Sequence, residues 1–186
     1  MKIDVLGPNI NESEYKFTVN KKGQICFGMG AVKSVGEVVI QAITEERDAN
    51  GEFKDFADFL MRMSGKGVNR KSIEALAAVG VFDCFEGCHR AMFYYIPEGD
   101  KTTFVEKAIK SVGVYLERKN NAQFDLFADS SNDIDETFTI QLPECEPWSK
   151  MKELEMEKEL VGFYMSSHPL DLYKDTIKYF ANIKLD

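Results

Sequence analysis

The sequence predicts a mainly α-helical fold organised around two consecutive helix–turn–helix hairpins. Apolar residues recur at intervals of three and four along much of the chain, as they do on the buried face of a helix. Glycine-containing turns interrupt this pattern twice in the first half, and one stretch near the N-terminus alternates like a strand. A length of 186 residues, 44% of them hydrophobic, suffices to bury a core.

The alternating stretch predicts a small β-hairpin. Residues 15–19 and 24–27 alternate, and residues 20–23 (Asn-Lys-Lys-Gly) have the composition of a tight turn. Residues 7–11 before the hairpin read as a loop, so we assign residues 1–27 to an N-terminal segment built on this hairpin.

The first helix–turn–helix hairpin follows directly. Residues 27–36 contain a short helix and a tight turn, and apolar residues at helical spacing then predict a longer helix up to Arg47. The Asn50-Gly51 pair is a strong signal for the end of that helix.

A similar second hairpin spans residues 53–81. Phe53, Phe56 and Phe59 mark the apolar face of its first helix, residues 64–69 form the turn, and the next helix runs to about residue 81. Asn69 is predicted to be the N-cap of that helix, and Gly80 lies near its C-terminal end.

A turn at a helix N-terminus offers backbone N–H donors and a partial positive charge, which suit a phosphate oxygen and ignore the base. The second turn also lies in a stretch without acidic residues, between Leu60 and Ile73. A helix corner without any ligand is the alternative for either hairpin, but the tandem arrangement and the basic residues favour contact with a nucleic-acid backbone. The candidate DNA-binding residues are Lys33, Ser34, Val35, Gly36, Lys66, Gly67, Val68, Asn69, Arg70 and Lys71.

The second half continues as helices with one expected strand. We predict a short helix over 89–96, a longer helix from Phe104 to about Lys119, and a short strand over 138–142. An amphipathic helix from Ser149 to Val161 and a last short helix over 172–180 complete the segment.

Residues 123–127, Gln-Phe-Asp-Leu-Phe, form an apolar peptide in polar surroundings. The residues that follow, 128–136, are too acidic and too poor in apolar side chains to bury themselves. We therefore expect the apolar side chains of this peptide to enter a pocket on another molecule, with the surrounding segment as a tether.

Charge and motifs argue against chemistry carried by this chain. The formal net charge is −8, and the acid lies mostly in the second half: residues 1–90 carry 12 basic and 13 acidic residues, and residues 91–186 carry 11 and 18. Only two histidines are present, His89 and His168, and neither is flanked by a nucleophile motif. Asp133 and Asp135 resemble a magnesium-binding pair, but they lie in a polar linker, and no phosphate loop or dinucleotide fingerprint is present.

A metal site is the remaining alternative to a plain binding module. The spacing of Cys84, Cys88 and His89 could hold a metal, with Cys145 or His168 as a fourth ligand, although two reduced thiols and a surface histidine are favoured. We predict no metal, no cofactor and no catalytic residue. The chain has no apolar run that could cross a membrane and no signal-peptide pattern, so a cytoplasmic location is expected.

Several blocks of the sequence resemble the bacterial replicative DNA polymerase III alpha subunit, in the right order over nearly the whole chain. These blocks are residues 8–13 (PNINES), 25–36 (ICFGMGAVKSVG), 68–76 (VNRKSIEAL), 80–83 (GVFD), 157–165 (EKELVGFYM) and 168–170 (HPL).

The resemblance implies a division of the chain. Residues 1–27 would be the end of the fingers, 28–120 a tandem helix-hairpin-helix domain that binds duplex DNA, and 121–147 the clamp-binding peptide with its acidic linker. Residues 148–186 would be C-terminal helices that lead to an OB domain. The clamp-binding peptide of the family, a glutamine followed by a small or acidic residue, a leucine and a phenylalanine, is similar to Gln123, Phe124, Asp125, Leu126 and Phe127.

The implied partners are duplex DNA, the sliding clamp (β subunit) and other subunits of the polymerase holoenzyme. The parent protein would be a DNA-directed DNA polymerase, a nucleotidyltransferase whose catalytic aspartates lie upstream of this region. The chain departs from the family pattern at Ser34 and Ser167, where glycines are usual. The alternatives are a replisome scaffold that never touches DNA, and a clamp-associated nuclease, which would need a carboxylate cluster on ordered structure.

Overall fold

A computed structural model describes residues 5–20, 22–124 and 138–180. In these ranges the chain forms six α-helices, three short 3-10 helices and one small sheet, so the predicted mainly helical fold is confirmed. None of the helices described combines the length and the apolar character needed to cross a membrane.

The N-terminal sheet has three strands of two residues each: β1 (Val5–Leu6), β2 (Thr18–Val19) and β3 (Ile25–Cys26). β2 and β3 pair antiparallel, which confirms the predicted hairpin over a shorter length. β1 lies on the other side of β3 and pairs with it in parallel. The sequence did not predict β1, because a two-residue strand is too short to show an alternating pattern.

The first hairpin consists of a 3-10 helix over Met29–Ala31, a turn, and helix α1 (Glu37–Asn50). Gly28 lies against the backbone of the sheet segment, since a Cβ added there would come within 2.5 Å of the Lys16 carbonyl carbon. Helix α1 ends at Gly51, whose φ of 82° is in the left-handed range. It extends three residues beyond the predicted end at Arg47.

The second hairpin consists of helices α2 (Phe56–Met63) and α3 (Arg70–Ala78). The Asp55 carboxylate caps α2 by accepting from the Asp58 N–H at 2.8 Å. The Asn69 side chain caps α3 by accepting from the Ser72 N–H at 3.1 Å, and the Ser72 hydroxyl accepts from the Asn69 N–H at 3.0 Å. The predicted N-cap at Asn69 is confirmed.

The remaining helices are a 3-10 helix over Arg90–Tyr94, α4 (Phe104–Phe124), α5 (Lys150–Val161), a 3-10 helix over Pro169–Tyr173, and α6 (Lys174–Phe180). Helix α4 continues five residues past the predicted end at Lys119. The strand predicted over 138–142 is wrong, because these residues pair with no strand in the described part of the chain. Phe138 instead packs on Tyr115 of α4, with ring centroids 4.8 Å apart.

The core is rich in phenylalanine and lies between α2, α3 and α4. Phe56 is at its centre and contacts Phe82, Phe93 and Phe104 with ring centroids 4.9 to 5.9 Å apart. Residues from both hairpins and from α4 belong to this one cluster, so the two turns are parts of a single packed body.

Candidate nucleic-acid interface

The first hairpin turn has an unusual backbone conformation at Ser34. Its φ is +70°, and it is the one non-glycine residue with a positive φ in the part of the chain that the structure describes. Residues other than glycine adopt this conformation at a cost of roughly 1 to 2 kcal/mol. The turn therefore needs a glycine-like backbone at the place where the family resemblance had predicted a glycine.

The helix that follows this turn begins with an open end. Gly36 is the N-cap of α1 and has no side chain with which to cap the first turn. The N–H groups of Glu37 and Val38 have no acceptor among the described residues, and the Val38 side chain is 74% exposed. Free N–H donors and the positive end of a 14-residue helix dipole therefore face solvent.

Lys33, which precedes Ser34, is held by the end of α5. Its backbone N–H donates to the Leu160 carbonyl oxygen at 2.9 Å, and its Nζ donates to the Glu159 carbonyl oxygen at 2.9 Å. Both acceptors lie in the last turn of α5, where carbonyls lack helical partners and the helix dipole favours a cation. In this structure the Lys33 side chain thus lies on protein.

The second turn is built on two glycines with left-handed backbones. Gly65 has a φ of +76° and Gly67 a φ of +80°, and a Cβ added to either would meet nothing within 4 Å. Since the capping box of α3 uses the Ser72 N–H, the N–H groups of Arg70 and Lys71 are the ones left without an acceptor in the described ranges. The second turn therefore also presents free donors at a helix N-terminus.

The basic side chains around the second turn are largely paired with carboxylates. Lys66 forms an ion pair with Glu46, and Arg62 reaches Glu46 at 2.9 Å and Asp58 at 3.2 Å.

Arg70 is paired in the same way. It lies 2.6 Å from Glu74 and 2.6 Å from Glu106. Of the four cations between Leu60 and Ile73, which are Arg62, Lys66, Arg70 and Lys71, only Lys71 has no carboxylate within 4.0 Å in the described ranges. The acid-free stretch in the sequence did not predict this, because Glu46 and Glu106 come from the distant helices α1 and α4. The local excess of positive charge is consequently much smaller than expected.

Glu46 is the centre of the ion-pair group beside the second turn. Hydrogen bonds from Lys66 and Arg62 lower the pKa of Glu46 to about 2, against the smaller opposing effect of burial. This role could not be predicted, since Glu46 lies in an ordinary charged run near the end of α1.

The candidate clamp-binding peptide begins at the end of α4. The structure places the backbone of Gln123 and Phe124 in the last turn of this helix. Asp125, Leu126 and Phe127 lie outside the described residues, as do Asp133 and Asp135 of the linker.

The four cysteines are free thiols. Burial raises the pKa of the Cys88 thiol to about 11 and also raises the pKa of Cys84. Within the described ranges no three His, Cys, Asp or Glu side chains are grouped so as to hold a metal ion.

Comparison with known proteins gives one family match and a consistent set of relatives. Residues 2–92 match the family of the helix-hairpin-helix motif. The chain is 36% identical over 183 residues to DNA polymerase III subunit alpha of Vibrio cholerae, which covers 96% of this chain and 15% of that protein. It is 34% identical to the subunit of Borreliella burgdorferi, over 98% of this chain and 15% of the relative. It is 32% identical to that of Escherichia coli K12, over 100% and 15%. The chain thus spans about 15% of the length of these relatives.

Proposed function

Because this chain belongs to the family of bacterial DNA polymerase III alpha subunits, we propose that it is a segment of a replicative DNA polymerase that binds duplex DNA and the sliding clamp. In this proposal the whole protein is a DNA-directed DNA polymerase and carries out DNA synthesis. This segment supplies no catalytic residue. Its two tasks are to hold the DNA backbone and to keep the polymerase on the clamp.

The observation that carries the DNA part of the proposal is the open N-terminus of α1 behind the left-handed Ser34. The turn leaves the N–H groups of Glu37 and Val38 without an acceptor in the described ranges, beside exposed surface. Such donors bind a phosphate oxygen without reading the base, which suits a polymerase that must hold any sequence.

The second turn would add a second phosphate contact. The free N–H groups of Arg70 and Lys71 lie at the N-terminus of α3, and the Lys71 side chain is an exposed cation. The paired residues Lys66 and Arg70 would act mainly by shaping the turn, because their charges are already balanced by carboxylates.

Residues 123–127 would bind the clamp. Leu126 and Phe127 are the side chains suited to fill an apolar pocket, and the Gln123 amide would hydrogen-bond at its rim. The peptide begins in the last turn of α4, so the protein body proposed to hold DNA would also be tied to a clamp on the same duplex. Tethering raises the effective concentration of the polymerase on DNA, and the individual contacts can therefore be weak.

The DNA part is tested by titrating the chain with duplex DNA at several salt concentrations. We expect the affinity to fall steeply with salt and Lys71→Gln to reduce the slope of log K against log salt by roughly 0.9, the value for one phosphate contact. Lys66→Gln and Arg70→Gln should change the slope less, because their cations are paired. Lys152→Gln, an exposed residue of α5 with the same change in charge, is the control. A flat salt response in the parent chain would contradict DNA binding and favour the scaffold alternative. The net charge of −8 supports that alternative, because it opposes binding to a polyanion.

The clamp part is tested with the double variant Leu126→Ala, Phe127→Ala. We expect it to abolish clamp binding in a titration while the thermal unfolding midpoint stays unchanged, because the two residues belong to a segment whose sequence is too polar and acidic to bury itself. Ser130→Ala with Ser131→Ala, a few residues downstream, is the matched control and should bind normally. Unchanged clamp affinity in the Leu126, Phe127 variant would refute this assignment.

A further inference from the structure

The last turn of α5 contacts the first hairpin turn, although the two lie far apart in the sequence. Lys33 is held there by two hydrogen bonds, from its N–H to Leu160 and from its Nζ to Glu159. These partners are more than 120 residues apart in sequence, the side-chain contact spanning 126 positions. The residue next to Lys33 is Ser34, whose left-handed backbone defines the turn.

The same end of α5 is anchored by a buried carboxylate, Glu157, which is 0% exposed. One of its oxygens accepts from Arg90 at 3.0 Å, and the other accepts from the N–H groups of Met165 and Ser166 at 2.9 and 3.0 Å. Burial opposes ionisation of Glu157, but the hydrogen bonds from Ser166, Arg90 and Met165 outweigh it, so its pKa lies below the ordinary value. Glu157 is therefore an ionised group held by three donors.

Arg90 connects this anchor to the second hairpin. Its guanidinium also lies 3.0 Å from the Asp83 carboxylate, just after α3, and it is itself 11% exposed. It packs so closely on Gly80 that a Cβ added there would come within 2.5 Å of Nη2. A continuous series of polar contacts thus leads from the end of α3 through Arg90 and Glu157 to the last turn of α5.

We infer that Glu157 and Lys33 are positioning residues for DNA binding, which fix the first hairpin turn in the conformation that accepts phosphate. This inference rests on the proposed function and adds a group of residues to it. A serine keeps a left-handed backbone conformation only where the surrounding contacts impose it. The hydrogen bonds from Lys33 to α5 are such contacts, because Lys33 directly precedes Ser34 in the turn. In this arrangement Lys33 acts through the backbone of the turn, and the N–H groups of Glu37 and Val38 meet the phosphate.

The test uses Glu157→Gln, because a positioning role and a purely electrostatic role predict opposite changes in its affinity for duplex DNA. Removing a negative charge from a protein strengthens its binding to a polyanion if charge is all that matters. A positioning role predicts weaker binding, by about tenfold, because Arg90 loses one of its two carboxylate partners and the end of α5 loosens. The slope of log K against log salt should stay unchanged, since no cationic contact with phosphate is removed.

Hydrogen exchange supplies the local readout. In Glu157→Gln the Lys33 amide, bonded to Leu160 in the parent chain, should exchange at least tenfold faster. The Ile73 amide of α3, bonded to Asn69, should keep its rate and so report that the second hairpin is intact. Glu155→Gln is the matched control: it lies on the same helix, changes the charge equally, and is 60% exposed. We expect that control to change neither exchange nor affinity beyond a slight strengthening.

Lys33→Met repeats the test at an exposed position, where the fold is not at risk. We expect a several-fold loss of affinity with an unchanged salt slope. A slope lowered by roughly 0.9 would mean that Lys33 itself contacts phosphate and would overturn its positioning role.

Two outcomes separate this inference from the proposed function. Unchanged or stronger duplex binding by Glu157→Gln, with Lys71→Gln still lowering the salt slope, would overturn the positioning role and leave DNA binding standing. A parent chain that binds no duplex even at low salt would overturn both.

Discussion

At the scale of single residues, the backbone conformation of Ser34 lowers the stability of the fold. Its backbone has a φ of +70°, which glycine adopts freely and serine does not. We expect Ser34→Gly to raise the free energy of unfolding by about 0.5 to 1 kcal/mol, the relief of left-handed strain being reduced by the greater entropy of glycine in the unfolded chain. Denaturant unfolding measures the change.

Ser34→Val is the opposite change at the same site. A β-branched residue is the least tolerant of a positive φ, so this variant should unfold more easily than the parent chain. If the glycine variant were the less stable of the two, the left-handed conformation would not describe the turn.

Glu46 gives the chain a stability that depends on pH. Its pKa is lowered in the folded state to about 2, so its contribution is complete above its ordinary value of 4.5 and is lost as the pH falls from there towards 2. We expect a loss of about 1 to 2 kcal/mol over this range, allowing for the solvent exposure of Lys66. In Glu46→Gln this part of the acid-induced loss should be absent when unfolding is measured from pH 6 to pH 2.5. An identical pH profile for the variant and the parent chain would remove Glu46 from its central place among the ion pairs.

At the scale of elements, the capping box of α3 stabilises the helix and determines which of its N–H groups stay free. Asn69 and Ser72 satisfy each other's N–H groups and leave those of Arg70 and Lys71 unused. We expect Asn69→Ala to lower the free energy of unfolding by about 1 kcal/mol through the loss of the cap. Asn69→Asp keeps the acceptor and should retain most of the stability in the same denaturant titration. Equal losses in both variants would show that the cap is not the source of the effect.

The elements that the sequence predicted well are those determined locally. Asn69 predicts the start of α3, the Asn50-Gly51 pair predicts the end of α1, and the apolar periodicity predicts α2 and α5. The strand predicted over 138–142 failed because alternation cannot say whether a partner strand exists. Phe138 packs on Tyr115 instead.

The contacts of the candidate site depend on elements far apart in sequence, and this limited what could be predicted. The turns at 33–36 and 66–71 were evident from glycine, asparagine and lysine alone. The pairing of Lys66 with Glu46 and of Arg70 with Glu106 was not, since those carboxylates arrive on α1 and α4. The hydrogen bonds between Lys33 and α5 could not be predicted either, because every residue type supplies a backbone carbonyl.

At the scale of the whole molecule, the two hairpins and α4 share one core. Val32 of the first hairpin, Phe59 of the second and Val112 of α4 are all buried in it. Because close-packed interiors have low compressibility, the shared core keeps the two turns at a fixed distance from each other. Under the proposed function, this fixed distance would set the spacing of the two phosphate contacts along a duplex.

The length of α4 has a rotational consequence as well. An α-helix turns by about 100° and advances about 1.5 Å with each residue. Since α4 continues to Phe124, the direction in which the chain leaves the body is set by the number of residues in the helix. One added residue would swing that exit by more than a quarter of a revolution, whereas four would restore it to within about 40° while moving it about 6 Å outward. The helix therefore sets the direction of whatever follows it, and under the proposed function both this direction and the distance would have to match the position of the clamp.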